Sequence, residues 1–151
     1  MQIENYMKKV TLLLTALFAF VAVSFAGEDK PISVDKMPQA AQTFIKQYFP
    51  GKSIALAKMD SEFFGRSYDV IFTNGDKVEF DKKGEWTKID CDYSQVPMEA
   101  VPSAIRTYVK NHYPSAKIKQ IEKDRKKYEL ELSNGWEIKF DKSFNVIKLD
   151  R

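Results

Sequence analysis

From Tyr68 onward apolar and polar positions take turns: Tyr68, Val70 and Phe72 alternate with Asp69, Ile71 and Thr73. Sixty residues later Tyr128, Leu130 and Leu132 alternate with Glu129, Glu131 and Ser133. A period of two places one set of side chains on one sheet face, so each stretch predicts a half-buried strand. Asn74-Gly75 and Asn134-Gly135 follow, and such a pair supplies the two positive-φ residues of a tight hairpin. Val78 and Phe80, matched by Ile138 and Phe140, continue the apolar face. Asp81 to Gly84 and Asp141 to Asn145 turn the chain again, into Ile89 and into Ile147 and Leu149. Ile54 and Leu56, and Ile118 and Ile121, mark a less regular strand ahead of each set.

A helical period precedes both sets. Ala41, Phe44, Ile45 and Tyr48 fall at i, i+3, i+4 and i+7, and Ile105, Tyr108, Val109 and His112 repeat the stripe 64 residues on. One face of each helix is therefore expected to be buried. Pro38 and Pro102 suit the first helical turn, and Pro50 and Pro114 cannot continue the helices that they follow.

The chain thus writes one unit twice. "MPQAAQTFIKQYFP" (37–50) matches "VPSAIRTYVKNHYP" (101–114), and "YDVIFTNGDKVEFDKKGEWTKID" (68–90) matches "YELELSNGWEIKFDKSFNVIKLD" (128–150). The offset drops from 64 to 60, so the first copy carries four extra residues in or near Ser61 to Ser67. A helix-plus-four-strand unit buries little apolar surface alone, whereas two units can extend one sheet, pair an open edge and share a core. The predicted architecture is α+β: two tandem repeats, 27–91 and 92–151, form one integrated domain with one antiparallel sheet and helices on one face. "DCDYSQVPMEA" (90–100) is the expected connector.

The first 26 residues read as a leader. Lys8 and Lys9 precede an apolar run of 14 residues from Val10 to Val23, and Ser24-Phe25-Ala26 forms a small-x-small cleavage site. Met7 is a natural start, with Met1 to Tyr6 as an upstream extension. The run is short of the roughly 20 residues of a membrane span, so cleavage after Ala26 and an exported, periplasmic mature chain of 125 residues are expected, with an uncleaved N-terminal anchor as the alternative. No stable membrane span is expected after cleavage.

Charge and chemistry narrow the function. The 24 basic and 21 acidic residues alternate along the chain, without the basic stripe that nucleic acid requires. No nucleic-acid partner is expected. With one histidine and one cysteine far apart in the chain, no His or Cys metal-ligand spacing exists, and no cofactor is expected. His112 sits on the apolar helical stripe and reads as a packed, hydrogen-bonded residue. Glu129 and Glu131 share a strand face, a pattern open to acid–base work or Ca²⁺ but better read as solvated residues paired with lysines. Cys91 reads as a half-buried hydrophobe, with a bridge between chains as the alternative. No enzyme activity is expected.

Binding has more support. Alternation with inward Ile89 places Trp86 on the solvent face, and Ile71 points outward beside Val70 and Phe72. The extra loop puts Phe63, Phe64 and Arg66 at a hairpin tip, and aromatics and Arg are favoured interface anchors. Phe63, Phe64, Arg66, Ile71 and Trp86 are the candidate partner-binding set. The other reading is that Phe63 and Phe64 fold over a sheet edge while Trp86 covers a neighbouring strand.

Two copies of "P…F/Y-I/V-K-x-x-Y/F-P", each followed by "Y-x-V/L-x-F/L-x-N-G-x-x-V/I-x-F-D" behind a leader, resemble the PepSY-like family of exported proteins found chiefly in Bacteroidetes. The likeness spans roughly residues 32–151. It implies a fold similar to the β-lactamase inhibitor protein and a non-catalytic module binding a protein or peptide, such as an envelope protease or other hydrolase. It carries no functional residues over. The inhibitor's cysteine pairs are missing, so inhibition of a β-lactamase in particular is not implied. Binding of a small ligand or envelope component is the alternative, and self-association through sheet edges or Cys91 a third.

Overall fold

Both helices begin where proline ends the extended chain. The computed structural model describes residues 29–62 and 65–151; the expected leader with its cleavage site, and Phe63 and Phe64, lie outside the described residues. Pro38 and Pro102 stand just before helices α1 (Gln39–Tyr48) and α2 (Ser103–His112). Their carbonyls accept the first helical bonds, from the Gln42 and Arg106 amides. Ala41 and Ile45, and Ile105 and Val109, are buried. Phe44 meets Phe80 edge-on at 5.7 Å, and Tyr108 meets Phe140 in the same way at 5.3 Å.

The strands run β1 (Lys30–Ile32), β2 (Ile54–Glu62), β3 (Gly65–Phe72), β4 (Lys77–Phe80), β5 (Trp86–Asp90), β6 (Ile118–Lys123), β7 (Lys127–Leu132), β8 (Glu137–Asp141) and β9 (Val146–Asp150). They form one antiparallel sheet in sequence order, so the four predicted strands of each copy are present and β1 adds a short edge. One row of facing residues crosses all nine strands: Ile32, Ala57, Val70, Val78, Ile89, Ile121, Leu130, Ile138 and Leu149. All but the two edge residues are buried or nearly so, and with both helices they belong to a single core. The repeats join at the β5–β6 seam, where Ile89 faces Ile121, and the Cys91 and Val96 amides donate to the Lys119 and Ile118 carbonyls.

Three local expectations change. At the hairpin tips only Gly75 and Gly135 have positive φ, not Asn74 or Asn134. Gly75 N–H donates to the Phe72 carbonyl, while Phe72 N–H donates to that of Asp76. That is a three-residue loop with a glycine bulge, which needs only one left-handed residue. The asparagines brace it, Asn74 Oδ1 accepting from the Asp76 amide at 3.1 Å and Asn134 Oδ1 from the Trp136 amide at 3.3 Å. The four extra residues of the first copy lengthen the β2–β3 arm, with Ser61 paired to Arg66 and Glu62 to Gly65.

Cys91 is fully buried, not half-buried. Burial, reinforced by the nearby Asp76 carboxylate, pushes its thiol up to about 12. A protonated, inaccessible thiol is a poor partner for a bridge between chains. His112, by contrast, lies exposed at the end of α2, stacked on Tyr108 at 4.1 Å with Nδ1 2.9 Å from the Tyr108 carbonyl.

Candidate functional site

A bulge decides where Trp86 points. Glu79 faces Lys88, but Phe80 faces Trp86, so Thr87 is an extra residue in β5. One inserted residue inverts the alternation. Trp86 therefore lies on the helix-side face, 8% exposed, and not on the solvent face that strict alternation predicts. The second copy repeats the device, with Phe140 facing Val146 and Ile147 extra.

The helix-side row containing Trp86 runs Met59, Tyr68, Phe80, Trp86 in the first repeat and Lys123, Tyr128, Phe140, Val146 in the second. Lys123 thus takes the place of Met59, putting a cation in an otherwise apolar row beside the seam. Its ammonium lies over the Trp86 ring at 4.2 Å, a favourable arrangement for a partly desolvated cation. Burial holds Lys123 below the usual lysine range, helped by neighbouring Lys142 and opposed by Glu85 and Asp81. Lys142 lies over the Tyr128 ring, also at 4.2 Å.

These residues line a cleft of about 880 Å³ where hairpin arms and turns from both repeats meet. Its cations are Arg66, Lys82, Lys83, Lys123, Arg125 and Lys142, against Asp81, Glu85 and Asp124. Two of the three acids are turned toward their own backbone. Asp81 Oδ1 accepts from the Lys83 and Glu85 amides at 2.8 and 3.0 Å. Asp124 Oδ1 accepts from the Lys126 and Lys127 amides at 2.6 and 2.9 Å, and those bonds lower its pKa. Among the described residues none of the six cations forms an ion pair.

On the outer face of the sheet several lysines are matched by carboxylates. Lys58 and Lys77 flank Asp69 at 3.4 and 3.0 Å, and Lys77 also reaches Glu79 at 2.7 Å. Glu129 pairs with Lys127 and Lys139, and both bonds lower its pKa, consistent with a solvated residue matched to lysines. Among the described residues no group of three or more His, Cys, Asp or Glu side chains is disposed to hold a metal ion, and no helix is long and apolar enough to cross a membrane.

Of the candidate set, Arg66 and Trp86 come together in the cleft. Ile71 does not. It lies half-buried on the outer face between Leu56 and Lys77, five residues and roughly 17 Å along β3 from Arg66. Sequence reasoning missed Lys123, Tyr128 and Lys142, although aligning Lys123 with Met59 carried the signal.

A family described as "Putative beta-lactamase-inhibitor-like, PepSY-like" matches residues 66–148. Among solved structures, one described as a "putative periplasmic protein" of the DUF2874 family from Bacteroides vulgatus is 60% identical, with a TM-score of 0.81 over 83% of this chain and 99% of that one. A "putative calcium-regulated periplasmic protein" from Bacteroides thetaiotaomicron is 56% identical, with a TM-score of 0.80 over 82% and 97%. A second Bacteroides vulgatus protein, described as periplasmic and of unknown function, is 39% identical, with a TM-score of 0.76 over 82% and 100%. No curated protein matches. None of these descriptions names a catalytic activity. The duplicated helix-and-meander unit, the nine-stranded sheet and these relatives agree, and the chain belongs to the PepSY-like family.

Proposed function

We propose that this is an exported, periplasmic, non-catalytic module that binds a segment of another protein in the cleft beside the repeat seam. The observation that carries this reading is the convergence of cations that form no ion pair among the described residues with Trp86 and Tyr128 in one open cleft, while Lys58, Lys77 and Lys139 on the outer face are matched by carboxylates. Charge left unmatched beside aromatic surface suits a partner that supplies the complement. The family's inhibitor-like description favours a target that is itself an envelope enzyme, and the periplasmic descriptions of the relatives favour export of this chain.

Affinity capture from a Bacteroides envelope extract tests the reading. The bait is residues 27–151, run beside a variant with Arg66, Lys123 and Lys142 changed to Gln and verified to melt normally. A polypeptide retained by the first and lost with the second supports it; equal retention by both rejects the cleft. The small-ligand alternative rests on a second groove of about 430 Å³ beside α2, lined by Met98, Val109, Tyr113 and Ala116 among others. Recovery of a small molecule by a bait unaffected by the cleft substitutions favours that alternative.

A further inference from the structure

We infer that the seam cleft takes an acidic peptide segment, whose side-chain carboxylates are received by Lys123, Lys142, Arg66 and Arg125. This rests on the binding reading above and names its ligand class. Lys123 is the central group, because its position in the inward row is apolar in the first repeat, where Met59 stands. A cation drawn into such a row gives up part of its hydration, so an incoming carboxylate meets a charge less screened than one in open water. Arg66 and Arg125 flank it from the β2–β3 arm and the β6–β7 turn, and arginine forks receive carboxylates two bonds at a time.

Nucleic acid would also supply negative charge, but single strands are held by aromatic platforms on which bases stack. Here the Trp86 ring carries Lys123 and the Tyr128 ring carries Lys142, so both platforms are occupied by cations. Those lysines suit small, dispersed anions such as Glu and Asp side chains. Among the described residues the Glu85 side chain, lining the same cleft, makes no hydrogen bond or ion pair, and it sets a repulsive limit on how many carboxylates fit.

The test uses fluorescein-labelled hexaglutamate against mature protein, followed by anisotropy, with hexalysine, a neutral Gly-Ser hexamer and oligothymidylate as competing probes. Hexaglutamate is expected to bind and the other two peptides not to, with affinity falling about tenfold from about 50 to about 300 mM NaCl. Lys142→Glu should weaken binding about tenfold and Lys148→Glu less than about twofold. The two changes alter net charge equally, but Lys148 lies outside the cleft and pairs with Asp150. Equal loss in both variants would mean attraction to net charge only and would overturn the site. Tighter binding of oligothymidylate would overturn the ligand class in favour of nucleic acid. Failure of hexaglutamate while a captured envelope protein still depends on the cleft would sink the acidic class and leave the binding reading standing; no cleft-dependent partner by either route would sink both.

Discussion

The first repeat is closed and the second is open at matching positions. Where the first has Met59, Tyr68 at 7% exposure and Gly84, the second has Lys123, a half-exposed Tyr128 and an exposed Phe144. Gly84, at φ +82°, is wedged against the start of α1: a Cβ there would lie 2.8 Å from the Ala41 nitrogen and from the Pro38 Cβ. Phe144 holds the same turn in the second repeat with φ +64°, its ring 5.5 Å from Tyr128. A second pair differs in kind. Asp76, fully buried, accepts bonds from Lys52 at 2.7 Å, Asn74 at 2.8 Å and Ser94 at 2.6 Å; its counterpart Trp136 packs on Tyr113 at 5.9 Å. Most residues that build the helices and the inward rows are shared or conservatively replaced between the copies. The residues that differ gather at the seam and the hairpin ends, where duplication leaves room for function.

The largest test of this comparison separates the halves. Residues 27–93 retain β1 to β5 but lose β6, which supplies the seam pairing and Ile121 against Ile89. A unit of that size with an unpaired apolar edge is marginal. We expect no cooperative urea transition from the fragment. A sharp transition would mean that the first repeat is closed by its own contacts and not by its neighbour.

Gly84→Ala should follow in size, destabilising by about 3 kcal/mol in urea unfolding, because positive φ and backbone contact are both violated. Asp76→Ala should cost about 2 to 3 kcal/mol, since three donors lose their common acceptor. Trp136→Ala, on a half-buried ring, should cost about 1 kcal/mol less. Burial opposes ionisation of Asp76, but the bonds from Lys52, Ser94 and Asn74 outweigh it and its pKa is lowered. Its contribution is therefore complete above the unfolded carboxylate value of about 4 and fades as pH falls through the lower folded value. Wild type should lose stability more steeply than Asp76→Asn below about pH 4; parallel acid profiles would show that the carboxylate is not held in its ionised form.

The fold was legible in the sequence because period, proline placement and duplication gave the same answer independently. Ile71 illustrates a correct placement by alternation, outward beside Val70 and Phe72. Trp86 illustrates the failure. Nothing in "KKGEWTKID" announces that Thr87 is an extra residue, since bulges arise from how two strands meet and not from one strand's pattern. The cleft was hidden for a related reason. Its six cations are spread from Arg66 to Lys142, each near an acid in sequence, and only the folded sheet shows that Asp81 and Asp124 spend an oxygen on their own turns. Charge counted along a chain does not reveal which charges are matched in space.

The smallest effect is the most pointed, because it has the opposite sign. An L-residue in the left-handed region costs roughly 1–2 kcal/mol, and Phe144 bears that cost where the first repeat has glycine. Replacing it with glycine relieves the strain but forfeits the ring contact with Tyr128 and adds freedom to the unfolded chain, together about 1 kcal/mol. Phe144→Gly should therefore gain about 0.5 kcal/mol, while Phe144→Ala, which keeps the backbone strain and loses the ring, should lose about 0.5 kcal/mol. Urea midpoints in the order glycine, wild type, alanine would show that the second repeat gives up stability to hold an aromatic ring beside the cleft. If wild type is the most stable of the three, the ring contributes more than the backbone strain costs, and Phe144 is a packing residue like those of the first repeat.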